Sequence, residues 1–378
     1  MIAFLLLACE TPIAETGEPS DDSAFTVEEC DAVSGHICTF AGTGIPALGK
    51  NDISALESHL YLPQDLTFGP DGGAYLEDWN NHRIRRVDPD GTVDTVAGIG
   101  FLGDGPEGPA LDAAFNHPSN IAFSADGVLY LAAWHNSRVE RIDLSTGALT
   151  FVAGDGSRSY AGDGGDAKLA KLDLPSSVAF GSDGTLYISD MANWRIRSVD
   201  GLGIINSYAG TGVSGFSGDG GLASLAQLAG IKGQAAAPAN RIAIAGEKMY
   251  VADTGNQRIR VIDMTSGIIT TLAGDGTAGY SGDGGSALEA RIFSPADVAV
   301  GPEGEVYVAD TENSCIRVID TSGNIDTFAG ICGVPGFDGN GGLAADATLN
   351  KPYGVSADAA GNVYIGDTFN QVFRVVYK

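Results

Sequence analysis

Six positions share one register in this 378-residue chain, and all but Gly354 carry side chains whose types and spacing could do chemistry together: Asp65, Asn120, Ser177, Arg241 and Asp297. Five of the six stand two residues after a proline. Arg241 takes the same register through the matching stretch PANRIAI, residues 238–244. Asp65, Asn120 and Asp297 offer oxygen atoms of the kind a hard divalent cation prefers. Arg241 would oppose a cation, and suits either a ligand carboxylate or a bridge to Asp65 or Asp297. The plainer reading is a wet, polar opening where strands converge, since polar groups that keep their water cost little.

Those positions meet only if the chain repeats in space, and it repeats in sequence. Residues 295–330 read as four short strands: Asp297–Val300, Glu305–Asp310, Cys315–Ile319 and Asn324–Ala329. Each run is rich in β-branched or aromatic residues and ends in Gly, Pro, Asp or Asn. The turns are too short for parallel crossovers, so the sheet is an antiparallel meander. Five more copies are marked by one tyrosine each, Tyr75, Tyr130, Tyr187, Tyr250 and Tyr364, beside Tyr307. Six such units predict an all-β fold, a six-bladed β-propeller of four-stranded antiparallel blades. The last copy stops at Lys378 without its fourth strand, while Ile37–Gly42 (ICTFAG) repeats Ile325–Gly330 (IDTFAG). The ring is therefore expected to be closed by the N-terminal strand.

The stretches YVADTGNQRIRVID (250–263), YISDMANWRIRSVD (187–200) and GYSGDGGSALEARIFSP (279–295) closely resemble the NHL repeat family. The resemblance covers about residues 37–378. It implies the propeller, but not one activity, because NHL propellers include RNA-binding domains, protein-binding ectodomains and relatives with lyase or lactonase activity. Gluconolactonase-type propellers hold a divalent metal with carboxylates and asparagines around the channel, to which the polar ring is loosely similar.

The ends and the charge narrow the setting. Residues 1–9 (MIAFLLLAC) read as the end of a signal peptide with a lipobox-like Leu6–Cys9, although no basic residue precedes the apolar run. Cys9 would then carry a lipid. Residues 10–29 hold seven carboxylates and no Lys or Arg, the composition of a flexible acidic tether. Residues 30–378 form the propeller domain. Seven of the chain's 48 acidic residues lie in the tether, which leaves 41 against 21 basic residues for the domain. That surface repels phosphate backbones and argues against nucleic acid. Four further cysteines, Cys30, Cys38, Cys315 and Cys332, allow three connectivities. Sequence proximity favours Cys30–Cys38 and Cys315–Cys332, with free buried thiols as the alternative.

Repeated residues read as scaffold. Asp78, Asp190, Asp253, Asp310 and Asp367 follow their blade tyrosines by three residues, and Arg85, Arg197, Arg260, Arg317 and Arg374 by ten. Such pairs join adjacent strands, and the asparagines between them (Asn81 to Asn370) support turns. GDGG at 162–165, 218–221 and 282–285 is expected to end a linker, with a nearby Asp capping a short helix such as SALEARI at 286–292 or DAKLAKL at 166–172. Five histidines, no repeat position of which holds two, argue against a three-histidine metal site. Departures from the repeat are more informative: Ala133 and Glu140 replace Asp and Arg in blade two, and Trp79, Trp134 and Trp194 sit in neighbouring turns beside His135. Blade four carries an insertion, 228–240. The leading expectation is an exported, lipid-anchored binding module of a bacterial cell envelope, or an extracellular one. It would need no cofactor, and would meet a protein or glycan at its loop face or a small polar ligand in the channel. The alternative is a metal-dependent lyase or lactonase. Asp65, Asn120 and Asp297 would then hold one calcium, zinc or magnesium ion, with Arg241 holding an anionic group.

Overall fold

The computed structural model describes residues 30–230 and 238–378. The expected signal peptide and tether, and most of the blade-four insertion, lie outside the described residues. Six antiparallel sheets stand in a ring. In blade five the strands are Pro295–Val300, Val306–Asp310, Cys315–Ile319 and Asn324–Ala329, within a residue or two of the sequence reading. Five blades add an outer two-residue strand, in blade five Gly285–Ser286 against Asn324 and Ile325. The pairing Ala243↔Tyr250 matches Ala299↔Tyr307, which places Arg241 in the register of Asp297.

Blade six takes its fourth strand from the other end of the chain. Ile37–Ala41 pairs antiparallel with Val372–Val376. Each blade alternates its side chains between two neighbours, so an apolar cluster lies between every adjacent pair of blades. The described helical segments are three-residue 3₁₀ turns, and none is long and apolar enough to cross a membrane. Cys30 is joined to Cys38 and Cys315 to Cys332 as disulfides.

The GDGG reading needs a correction. SALEARI is not a helix; only Ala287–Glu289 coils, as a 3₁₀ turn. Asp283 does not cap it, whereas in the third blade's copy the nearby Asp166 does cap the turn Ala167–Leu169, accepting from Lys168 N at 3.0 Å. The Asp283 carboxylate pairs with Arg317, the repeated arginine, and also accepts from Tyr280 Oη at 2.8 Å. Arg317 is wholly buried, with the Tyr280 ring 4.9 Å away and Asp310 at 3.6 Å on its other side. Asp163 and Asp219 hold Arg197 and Arg260 in the same way. The linker motif is thus a clamp on the blade's arginine, which needs two carboxylates because its charge has lost its water.

Blade two shows what replaces the clamp. With Ala133 in place of the aspartate, Asn136 Oδ1 accepts the Asn116 N–H at 2.7 Å, the bond that Asp310 makes to Phe293 N–H in blade five. Asp104 pairs with Arg138 instead. Glu140 is left buried, and burial pushes its carboxyl up to about 8.

Candidate functional site

The polar ring forms, but its members face one another and the neighbouring backbone. Asp65 Oδ2 accepts from Asn120 Nδ2 at 2.7 Å and from Ile121 N at 3.3 Å. Asn120 Oδ1 accepts from Val178 N at 2.7 Å, Ser177 Oγ from Ile242 N at 3.2 Å, and Asp297 Oδ2 from Val355 N at 3.0 Å. In every case the backbone donor is the residue just after the ring position of the next blade. Four small polar side chains thus staple blade to blade at the axis. These are the N–H groups a first strand cannot pair on its inner edge, so the polar type at this position has a backbone reason.

Gly354 breaks the pattern for a steric reason. A Cβ there would lie 1.7 Å from the carbonyl oxygen of Gln64. Blades six and one meet through that carbonyl, which leaves no room for a side chain. We expect Gly354→Ala to lower stability by about 3 kcal/mol through overpacking, read as a shift in the urea midpoint. An unchanged midpoint would show that the contact yields freely.

Arg241 fills the axis. Its guanidinium is fully buried and reaches four other blades. Nη2 donates to Ser119 O at 2.6 Å and Gln64 Oε1 at 2.9 Å; Nη1 donates to Tyr353 O at 3.3 Å and Asp297 Oδ2 at 3.4 Å. Glu77 Oε2 stands 3.8 Å from Nη2. Three buried carboxyls, of Asp65, Glu77 and Asp297, therefore share one cation. Burial raises all three above the ordinary carboxylate range, and Arg241 pulls each back down. Asp297 is pushed up to about 7, and Glu77 is well above its usual value. Both oxygens of Glu77 lack a hydrogen-bond partner.

Glu77 and Gln64 are absent from the sequence reading of the site. The signal for Glu77 was present: the residue two after the blade tyrosine is Ala132, Ser189, Ala252, Ala309 or Gly366 elsewhere. A charge in a column of small residues marks an inward departure from the repeat.

Above the plug, one face of the ring is built from positions that do not repeat. The residue five after each tyrosine is Asn80, His135, Ala192, Gly255, Glu312 or Phe369. Lys351 pairs with Glu312 at 3.0 Å and lies 5.6 Å from the Phe369 ring centre. Phe369 is 45% exposed and stacks at 6.4 Å on Tyr353, whose backbone oxygen holds Arg241. The tryptophans pack within the turns. Trp134 is wholly buried against Leu174, Met191, Ala192 and Ala239, with Trp79 at its edge. Trp194 donates to Gly230 O at 3.3 Å instead. On the opposite face a shallow groove of about 440 Å³ between blades five and six is lined by Tyr307, Phe328 and Tyr377, and its Lys378 is paired with Glu303.

Comparison with known proteins agrees with this architecture. Residues 107–200 match the Teneurin NHL domain family and residues 294–319 the NHL repeat family. Teneurin-m of Drosophila melanogaster is 30% identical over 356 residues, covering 86% of this chain and 12% of that protein. NHL repeat-containing protein 2 of Bos taurus is 26% identical over 306 residues, covering 73% of this chain and 41% of its own length. The chain thus spans less than half of these relatives. Among solved structures, a Bacteroides thetaiotaomicron protein of unknown function superposes with a TM-score of 0.65 at 17% identity, over 90% of this chain and 74% of that one. An auxiliary nutrient binding protein of the same organism gives 0.63 at 18% identity, over 90% and 75%. Likeness at that identity speaks for the fold alone. Six antiparallel sheets in a ring, the repeated Asp–Asn–Arg lattice and these sequence relatives lead to one conclusion: the chain is an NHL-type β-propeller.

Proposed function

We propose that this propeller is an exported, lipid-anchored binding module, which presents the face above Arg241 to a protein or glycan partner. The observation that carries the reading is the plug. Arg241 spends its guanidinium on four blades, and the ring oxygens expected to meet a ligand are engaged by N–H donors of the next blade. A tunnel for chemistry would need those groups free. The departures from the repeat lie instead on the face, where Phe369, Tyr353 and Lys351 form an aromatic and basic platform. Export is supported by the lipobox-like Leu6–Cys9, the acidic tether and the two disulfides. The fold neighbour described as a nutrient binding protein is consistent with a ligand-binding role.

The test is a binding screen of the full chain on glycan and peptide arrays, beside a turnover screen on lactones and lyase substrates with divalent metals added. We expect saturable binding, reduced about tenfold or more by Phe369→Ala, and no turnover. Turnover abolished by Asp297→Asn in a folded protein would replace this reading with the enzyme one. Metabolic labelling with a fatty acid, lost in Cys9→Ser, checks the anchor.

A further inference from the structure

Three of the five histidines converge on the same face, although they occupy three different repeat positions. His82 closes the 3₁₀ turn Trp79–Asn81 of blade one. His117 immediately precedes the first strand of blade two, Pro118–Phe123, and His135 lies in the turn after its second strand, Leu129–Ala133. His36 and His59 take other partners, Gly341 O and Thr43 Oγ1.

His82 does a scaffold's work. Its Nδ1 accepts the His117 backbone N–H at 3.2 Å. Gln257 Oε1 accepts Ser294 N–H, Gln371 Oε1 accepts Leu62 N–H and Ser314 Oγ accepts Lys351 N–H at the same place in other blades. His117 and His135 have no such counterpart.

Their arrangement is specific. His117 Nε2 lies 3.1 Å from Asn80 Oδ1, an acceptor, so Nε2 carries the ring proton and Nδ1 presents its lone pair. That Nδ1 lies 2.8 Å from Asn116 Oδ1 and 3.1 Å from His135 Nδ1. The His135 Nδ1 to Asn116 Oδ1 edge is 3.2 Å. Three heteroatoms form a nearly equilateral triangle. A hydrogen-bonded triangle wants a proton on each edge, yet only His135 Nδ1 can supply one here. A cation would satisfy all three lone pairs at once. At a metal–ligand distance of about 2.1 Å, neighbouring donors stand roughly 3.0 Å apart in an octahedron and roughly 3.4 Å in a tetrahedron.

We propose that His117 Nδ1, His135 Nδ1 and Asn116 Oδ1 form one face of a binding site for a borderline divalent transition-metal ion, of the zinc, nickel or cobalt class, with water completing the sphere. Two imidazoles and an amide oxygen select such ions over calcium. The ligand rings are held from behind. Trp134 stacks on His135 at 4.1 Å and Trp79 lies 4.3 Å from His117, with His82 edge-on at 4.5 Å. His117 is buried, whereas His135 and Asn116 are partly exposed. Among the described residues no three His, Cys, Asp or Glu side chains could hold a metal together, so the amide is the necessary third corner.

The untagged full chain would be titrated with zinc, nickel and calcium chloride, read by calorimetry and by tryptophan fluorescence, since Trp79 and Trp134 touch the ligands. We expect saturable zinc and nickel binding with nickel quenching, and no competition by calcium. His135→Ala is expected to weaken zinc about tenfold or more. Asn116→Asp puts a carboxylate at the third corner and is expected to tighten zinc about tenfold. Absence of zinc binding in both the parent and Asn116→Asp would overturn the proposal. So would binding that survives His135→Ala, which would report the acidic surface, or Asn116→Asp failing to tighten, which would mean that the amide N–H₂ bridges the two imidazoles. If His135→Ala does not fold, the Asn116→Asp titration still decides.

Discussion

Arg241→Met is expected to cost about 3–5 kcal/mol at pH 7.5, the scale of breaking a buried ion pair by removing one partner. The methionine fills much of the volume, so the loss is electrostatic. Asp65, Glu77 and Asp297 would be left facing one another with no cation, and Ser119 O, Gln64 Oε1 and Tyr353 O would lose their donor. The penalty is expected to depend on pH, in a direction that follows from the raised carboxyls. A carboxyl whose folded pKa exceeds its unfolded value holds its proton longer in the native state. Its stability term is fully favourable below the unfolded value, near 4, and is lost as pH rises towards the folded value, about 7 for Asp297. Removing Arg241 takes away the pull that lowers all three groups. The variant should therefore recover towards the parent at pH 5 and lose most at pH 7.5 and above. Adding Glu77→Gln, Asp65→Asn and Asp297→Asn should restore much of the loss, because the buried charges leave together while Asp65 and Asp297 keep an acceptor for the backbone staples. Urea unfolding at pH 5 and 7.5 measures this. Equal stability of Arg241→Met and parent at both pH values would mean that the plug holds nothing.

The same residue shows how far the sequence could be read. The tyrosine spacing and strand pattern placed all six blades, and placed Arg241 in the ring despite the shifted proline of PANRIAI. Column by column, a repeat makes positions equivalent, so whatever depends on position in one blade was legible. Contacts between blades were harder. Glu77 reaches Arg241 across the axis from a second strand, and its column gives the clue only once small neighbours are recognised as inward-facing. The histidines were illegible by this route. His117 and His135 occupy different columns, and they meet because the chain entering a blade's first strand passes beside the turn after its second. GDGG failed differently: alanine and leucine after glycine look helical, but three residues on, the chain must return to the ring. The clamp on Arg317 needs Asp283, 34 residues earlier in the chain, a pairing that no local pattern shows.

Removal of residues 37–41 is expected to abolish folding altogether. This strand supplies the outer pairing of blade six with Val372–Val376. It also serves both apolar interfaces of that blade. Ile37 packs in the cluster between blades five and six, and Cys38 and Ala41 in the cluster between blades six and one. Burying an isoleucine contributes about 1.5–3 kcal/mol and each strand hydrogen bond about 0.5–1.5 kcal/mol. Those terms together approach the whole stability of an ordinary domain, about 5–15 kcal/mol. An opened ring would further expose the backbone edge of Val372–Val376 for pairing with another chain. The deletion is thus expected to yield aggregate rather than monomer, judged by size exclusion and circular dichroism. A milder variant separates closure from trouble in expression. Ile37→Asn leaves the backbone pairing possible but buries an amide, and should cost about 2–4 kcal/mol. Val213→Asn, at a position 55% exposed, should leave the urea midpoint where it was. A five-residue deletion that remained monomeric and equally stable would mean that the other blade interfaces hold the ring without a closing strand. The two joints differ in kind. Arg241 secures the axis through charge, and its contribution varies with pH. The closing strand secures the rim through apolar burial and backbone bonds, and its contribution should be nearly the same at pH 5 and 7.5.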